Sequence, residues 1–469
     1  MKNIIGSFFS TTEARRLIAL GLPVYIAQMA NTGMNFIDTA MTGQASATDM
    51  AAVAVASSLW MPISVFGLGV LLVISPLVAQ CVGAGDRASA PHLLRQGIWC
   101  ALLLCVPLML LLYAISWNFS AFGLDENLAT LAGGYMRATL WGLPGLLLFV
   151  CARGFLEGFS CTRPAMMVAI LGLLLNIPCN YVLIYGKLGL PALGAVGCGI
   201  ATALCFWFMA FCTFIYARCN ENARALAPIF SPLWRKGSRS RFDAACVRRI
   251  FRIGIPGALA LLFEVSLFAV TALLLAPLGT VVVAGHQIAL NVSAILFVVP
   301  MSFGITTTIR VGHCAGAGQW TLARLTAGTA LTLAVGVVLV TAVLVGVLRN
   351  YIVLVYSSNP AVLHLAAYLL LYTATFQVVD AVQAIGVGIL RGYNDTRIIS
   401  VVCFVAYWLV SLPLGFVLAR TDWLGASWGA AGFWLAYLVG LGFGGVCYMS
   451  RVAYLHRQSS AWLAAKLNK

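Results

Sequence analysis

Apolar runs of about twenty residues or more, broken only by short charged or Gly/Pro/Asn-rich segments, recur along nearly the whole 469-residue chain. Each is long enough to cross a hydrocarbon core of about 30 Å as a helix. They lie near 15–42, 50–80, 93–117, 130–157, 165–186 and 194–217, then near 249–276, 283–312, 322–348, 363–390, 397–419 and 428–454. Such a chain is expected to be an all-α polytopic membrane protein of twelve transmembrane helices, because lipid offers no partners to open backbone. Composition agrees: 62% of residues are hydrophobic and 9% charged, against roughly 45–50% apolar residues in an average soluble domain. Lys2 precedes a short apolar run, but polar residues follow from Ser10 to Arg16 and no small-residue cleavage site closes it. The first span is therefore expected to act as an uncleaved signal anchor.

The formal net charge of +15 raises the question of nucleic acid, and the placing of the basic residues answers it. With the N-terminus in the cytoplasm, all of the 28 Lys and Arg residues except Arg137, Lys187, Arg349 and Arg420 fall on the cytoplasmic side. The positive-inside rule thus places both termini in the cytoplasm of a cell whose inner membrane holds the chain. The charge is a topology signal, and nucleic acid is not an expected partner. The fourteen cysteines contain no C-x-x-C pair and sit mostly inside spans, as Cys100, Cys105, Cys205 and Cys212 do. They read as small buried hydrophobes rather than disulfides or metal ligands. The five histidines are scattered without metal-binding spacing, His286 standing beside Gln287 toward the outer end of the eighth span.

The chain repeats itself. Gly21-Leu22-Pro23 returns as Gly254-Ile255-Pro256 at an offset of 233, and the run Val78–Gly85 returns at the same offset as Val311–Gly318. Gly154-Phe155-Leu156-Glu157-Gly158 returns as Gly388-Ile389-Leu390-Arg391-Gly392, at an offset of 234. Gly194 and Gly197 return as Gly429 and Gly432, at 235. The only long polar linker, Arg218 to Arg252 with its basic run Arg235–Arg241, lies at the middle. Residues 1–235 and 236–469 therefore read as two six-helix halves. An even number of spans per half makes them parallel repeats, the arrangement of transporters that rock two bundles about a central site. The glycines at Gly83, Gly85, Gly316 and Gly318 lack the Lys-Ser/Thr of a phosphate loop and read as helix C-caps.

Of the thirteen acids, ten lie in loops, termini or helix ends and read as solvated charge: Glu13, Asp49, Asp86, Asp125, Glu126, Glu157, Glu221, Asp243, Asp395 and Asp422. Asp38, Glu264 and Asp380 fall inside spans, where a carboxylate costs roughly 2.5–3.5 kcal/mol to insert and marks a functional site. No basic residue is expected at mid-depth beside them. On the first span Gln28, Asn31, Asn35 and Asp38 are spaced 3, 4 and 3 and share a face. Their counterparts at the offset of 233 are Leu261, Glu264, Phe268 and Thr271, so the second half carries its acid at another depth. Phe376, Gln377, Asp380 and Gln383 form a face on the tenth span, and Asp380 has only Leu146 or Leu147 as a counterpart. Two such carboxylates can supply hard oxygen ligands to Na⁺ or share one proton. Phe268 can offer its ring to a cation or simply pack. Gln287 and Asn291, four apart on the eighth span, can add neutral oxygens or bond between helices. In the fifth span Asn176-Ile177-Pro178-Cys179-Asn180 sets two amides around a proline, beside Asp38 as a first-half lining or as a plain kink.

At this point the residues resemble a known family. QMANTGMNFIDTAMTG, NIPCNYVLIYGKLG, LLFEVSLFAVTALLLAPLG, AGHQIALN and VVDAVQAIGVGILRGYNDTR, in that order along the chain, are similar to the multidrug and toxic compound extrusion family in its NorM-like branch. The resemblance implies an antiporter that exports cationic amphiphilic drugs and dyes against inward Na⁺ or H⁺, with no cofactor beyond that coupling ion, acting as a monomer. It implies cation coordination by Glu264 and Asp380 with the Phe268 ring nearby, an essential acid at Asp38, and amides at Asn176 and Asn180. The chain departs from the family where a tyrosine is often found one turn before the tenth-span acid: here it is Phe376, without a hydroxyl. A flippase of lipid-linked precursors is the alternative on a related fold, but its cavity should be cationic. A passive cation channel would conduct without ion-coupled accumulation, and an ATP-driven pump would need a P-loop.

Overall fold

A computed structural model of the protein describes residues 9–219, 242–421 and 427–467. The linker run Arg235–Arg241, together with Lys2, Glu221 and Asp422, lies outside the described residues. Sixteen α-helices are used below: α1 Thr11–Ala45, α2 Ala47–Leu71, α3 Ile74–Gly83, α4 Ala90–Trp117, α5 Glu126–Leu140, α6 Leu143–Gly158, α7 Arg163–Tyr185, α8 Gly194–Cys219, α9 Ala244–Leu275, α10 Thr280–Gly316, α11 Trp320–Leu354, α12 Pro360–Gly392, α13 Thr396–Phe404, α14 Leu412–Arg420, α15 Ala430–Arg457 and α16 Ser460–Leu467. No strand occurs among the described residues.

Among the described residues, eleven helical stretches are long and apolar enough to cross a membrane, with Ala47–Gly83 and Thr396–Arg420 counted as one each, and α5 with α6 makes a twelfth span bent by 41°. The bend has a covalent cause. Pro144 opens α6, and having no N–H it cannot bond the Leu140 carbonyl where α5 stops. Helix starts follow local chemistry elsewhere too: the Asn359 side chain accepts from the Ala361 N–H at 3.0 Å, ahead of Pro360. Helices end where expected, with α3 stopping at Gly83 and α10 at Gly316. Gly85 and Gly318 just beyond take φ of 80° and 69°, which suits a residue without Cβ. The described cysteines are free thiols.

Two compact units form, one from Leu22–Ala258 and one from Met1–Gly21 with Leu259–Lys469. α1 therefore begins in the second unit and continues in the first, and α9 does the reverse. The changeovers fall at or close to the repeated Gly-x-Pro motifs, whose prolines Pro23 and Pro256 lie inside their helices. In the second unit, α10 and α12 approach until a Cβ added to Gly388 would stand 2.5 Å from the Gly304 carbonyl. The Thr308 hydroxyl donates across the same seam to the Gly388 carbonyl at 2.9 Å. This clasp fixes the rotation of the helix that carries Asp380. Further along, a π-helical stretch, Val405–Ser411, joins α13 to α14. Ser411 donates from it to the Ala436 carbonyl at 3.1 Å, against Gly440, where any side chain would collide.

Three acids expected to be solvated are buried instead. Glu13 is 2% exposed and accepts from Arg310 at 2.9 Å, from Arg16 at 2.8 Å and from Thr326 at 3.2 Å. Glu157 pairs with Arg153 one turn before it at 2.9 Å, and Asp395 with Arg451 at 2.9 Å. A place at a helix end does not say what packs over it. Glu13→Ala is expected to lower folding stability by about 1–3 kcal/mol, because it takes the counter-charge from partly buried Arg310. Thermal unfolding of the detergent-solubilised variant measures this, and an unchanged midpoint refutes it. Asp243 behaves differently. The N–H groups of Cys246 and Ala245 at the start of α9 donate to its Oδ1 and, with His92 on the other oxygen, hold its carboxyl below the usual range.

Candidate functional site

In the first unit, α1 carries Asp38 inward, where lipid-depth burial would leave a carboxylate unsolvated unless other helices supply donors. They do. Asn176 and Asn180, one turn apart on α7, both aim their Nδ2 groups at Asp38 Oδ1, at 2.9 and 2.6 Å. Asn180 also donates to Asn176 Oδ1 at 3.0 Å, locking the two amides together. The hydroxyl of Thr202 on α8 donates to Asp38 Oδ2 at 2.9 Å. Asp38 is 5% exposed and both asparagines are fully buried. Thus only neutral donors surround this charge, and the Oδ1 of Asn180 keeps no partner. The sequence-predicted trio of Asp38, Asn176 and Asn180 comes together, and Thr202 joins it unannounced. One signal was present: Thr202 matches Tyr437 at the repeat offset of 235, a second polar group in an apolar span.

Asn31 and Asn35 share the α1 face but not the cluster. Asn31 reaches Gln28 Oε1 at 3.5 Å, Gln28 in turn accepts from Arg153 at 3.3 Å, and Asn35 is exposed.

The second unit gathers Glu264 from α9 with Asp380 from α12, close enough to repel each other electrostatically. Tyr407, in the π-helical stretch, lies in the field of both acids. A π segment at this place is typical of functional sites. Gln383 Nε2 donates to the Tyr407 hydroxyl at 2.6 Å. That leaves Gln383 Oε1 without a partner, and both polar atoms of buried Gln377 are unpartnered as well. Buried orphan oxygens beside two carboxylates are the donor set that an ion, a proton or water would complete. Contrary to expectation, a cation does stand near: Arg391, toward the end of α12, interacts with Glu264. It occupies the place of Glu157 in the repeat, at the offset of 234.

Rings wall this cluster. Phe268 packs edge-on against Tyr437 at 5.3 Å between centroids, and Phe376 against Trp434 at 5.8 Å. Trp434 and Tyr437 meet at 5.7 Å. His286 is fully buried against Trp434 at 6.0 Å, with neither ring nitrogen bonded. Gln287 and Asn291 lie on an exposed face of α10. Their helix period alone left the facing direction open.

Eleven or twelve candidate membrane spans in a duplicated pattern, with carboxylates inside the spans of each unit, define a membrane transporter rather than an enzyme. A family model described as MatE matches residues 23–182 and 256–417. Its two matched segments begin at Pro23 and Pro256, the equivalent prolines of the internal repeat. The chain belongs to the MatE family. It is 46% identical over 452 residues to the Multidrug resistance protein MdtK of Edwardsiella ictaluri (strain 93-146), covering 96% of this chain and 97% of that protein. Among solved structures, the eukaryotic MATE transporter AtDTX14 superposes with a TM-score of 0.85 at 22% identity, over 97% of this chain and 98% of that one. An outward-facing multidrug resistance MATE family transporter of the MOP superfamily superposes at 0.83 with 18% identity, over 95% and 97%. These two likenesses concern the fold.

Proposed function

We propose that the chain is a secondary multidrug antiporter of the inner membrane, with both termini cytoplasmic, exporting cationic amphiphilic drugs and dyes against inward Na⁺ or H⁺. The observation that carries this reading is the pair Glu264 and Asp380, two carboxylates at membrane depth ringed by unpartnered amide oxygens and aromatic faces. The name of the 46% identical relative supports the multidrug part. In this reading Glu264 and Asp380 bind the coupling ion, with Gln377 and Gln383 as neutral oxygens, while Asp38 and its amides meet the drug or relay a proton. Phe268 and Phe376 present ring faces or edges near the cation path, and Gln287 and Asn291 present polar groups on the exposed face of α10. The halves 1–235 and 236–469 work by alternating access as a monomer.

The energetics are compatible. One positive charge entering gains about 2.3 kcal/mol per 100 mV, and a monovalent drug leaving costs the same. One-for-one exchange therefore cancels electrically, and the ion gradient drives export at about 1.4 kcal/mol per tenfold ratio. Proteoliposomes loaded with a cationic dye, under Na⁺ and pH gradients imposed separately, test this directly. Dye should leave against its own gradient under one of the two; movement only down the dye gradient under both overturns antiport.

A further inference from the structure

Each unit receives the start of a helix from across the repeat, and the two junctions are secured differently. In the second unit the Ser10 N–H donates to Thr329 Oγ1 at 3.1 Å, and Glu13 is clamped by Arg310 at 2.9 Å. In the first unit the matching contact is the Asp243 N–H donating to Gln96 Oε1 at 3.0 Å; Asp243 and Gln96 are the repeat counterparts of Ser10 and Thr329. Phe242 adds an edge contact to Trp99 at 6.0 Å. The counterpart of Arg310 there is Leu77, so the clamping cation is missing. The counterpart of Glu13 is Cys246, and that of Thr326 is Leu93, next to His92.

We propose that His92, Asp243 and Cys246, with solvent in the fourth position, bind one thiophilic divalent cation of the zinc type, which fastens the start of α9 to α4. His92 Nε2 and Asp243 Oδ2 are 3.2 Å apart, and one ligand atom from each of His92, Asp243 and Cys246 lies within 4.8 Å of the others. A tetrahedral zinc with bonds of about 2.0–2.3 Å sets its ligands roughly 3.3–3.8 Å apart, so closure needs movements of about an ångström. The carboxylate divides its work: Oδ1 caps α9 through the N–H groups of Ala245 and Cys246, leaving Oδ2 to face His92. One thiolate, one carboxylate and a divalent ion sum to zero charge, so the site needs no further counter-ion. The His92 side chain is 30% exposed, so an ion has a path in. Linear spacing hides this site, because His92 and Asp243 are 151 positions apart. The ligand types, His with Cys and one carboxylate, suit zinc or cobalt rather than Na⁺ or Mg²⁺.

The test uses the full-length protein in detergent, stripped with a chelator and titrated with Co²⁺, an optical stand-in for zinc. At one equivalent, tetrahedral visible bands with a thiolate charge-transfer band should appear, and Zn²⁺ should bleach them. Cys246→Ser and His92→Gln should each weaken metal binding by roughly a hundredfold or more, beyond the losses typical of outer-shell changes. Both should melt like the metal-free wild type and lose the upward Tm shift that Zn²⁺ gives it. Absence of tetrahedral bands at one equivalent, or bands of undiminished strength in both variants, overturns the proposal.

Discussion

Asp38→Asn should leave a folded protein that no longer exports dye. The side chains are isosteric: the asparagine Oδ1 still accepts from Asn176 and Asn180, and its Nδ2 can donate to the Thr202 hydroxyl, which then turns its own proton to the Cys198 carbonyl at 3.0 Å. Only the charge goes. A unit charge about 4 Å from a cation at an effective dielectric near 20 contributes about 4 kcal/mol, so affinity for a cationic drug or a proton should fall by roughly three orders of magnitude. Asp38→Ala is a different experiment, since it strands two buried amides and should also destabilise, by about 1–3 kcal/mol for each group left unsatisfied. Efflux near the wild-type rate in Asp38→Asn, at matched protein levels, would remove Asp38 from the transport site.

The second-unit acids should separate transport from stability, with opposite signs for the two changes. Asp380→Asn removes a charge that repels Glu264, so thermal stability should hold or rise while ion-driven efflux falls at least about tenfold, as expected when an intramembrane carboxylate is functional. Glu264→Gln also stops transport, but it takes from Arg391 the acid it interacts with, so stability should drop. Matched melting curves in detergent, run beside vesicle efflux, read both quantities. Stability shifts of the same sign in the two variants would contradict the arrangement Asp380, Glu264, Arg391 described above, and retained ion-driven efflux in Asp380→Asn would contradict the coupling role.

How much of this was legible in the sequence depends on the range of the interaction. The spans and the repeat were, because length and apolarity are local properties and the offset of 233 recurs between the starts of the two segments the family model matches. The trio at Asp38 was partly so: helical spacing put Asn176 and Asn180 on one face of α7, and a buried acid needs donors. Thr202 and Tyr407 were not, since nothing local tells which hydroxyl a distant helix will turn toward a carboxylate. Arg391 was misjudged for the same reason. It lies at the end of α12 in sequence, yet it faces an acid carried by another helix. Glu13 looked like a solvated terminal residue because Arg310, the cation that packs over it, lies 297 positions away.

That separation has a consequence in time. Glu13 leaves the ribosome long before Arg310 does, and at about 5–20 residues per second the wait is roughly fifteen seconds to a minute. Throughout it, Glu13 has its neighbour Arg16 but not the Arg310 that packs over it. The start of α1 can therefore take up its packed position only once α10 has been made. Order of synthesis, then, makes the first helix to be made one of the last to be completed.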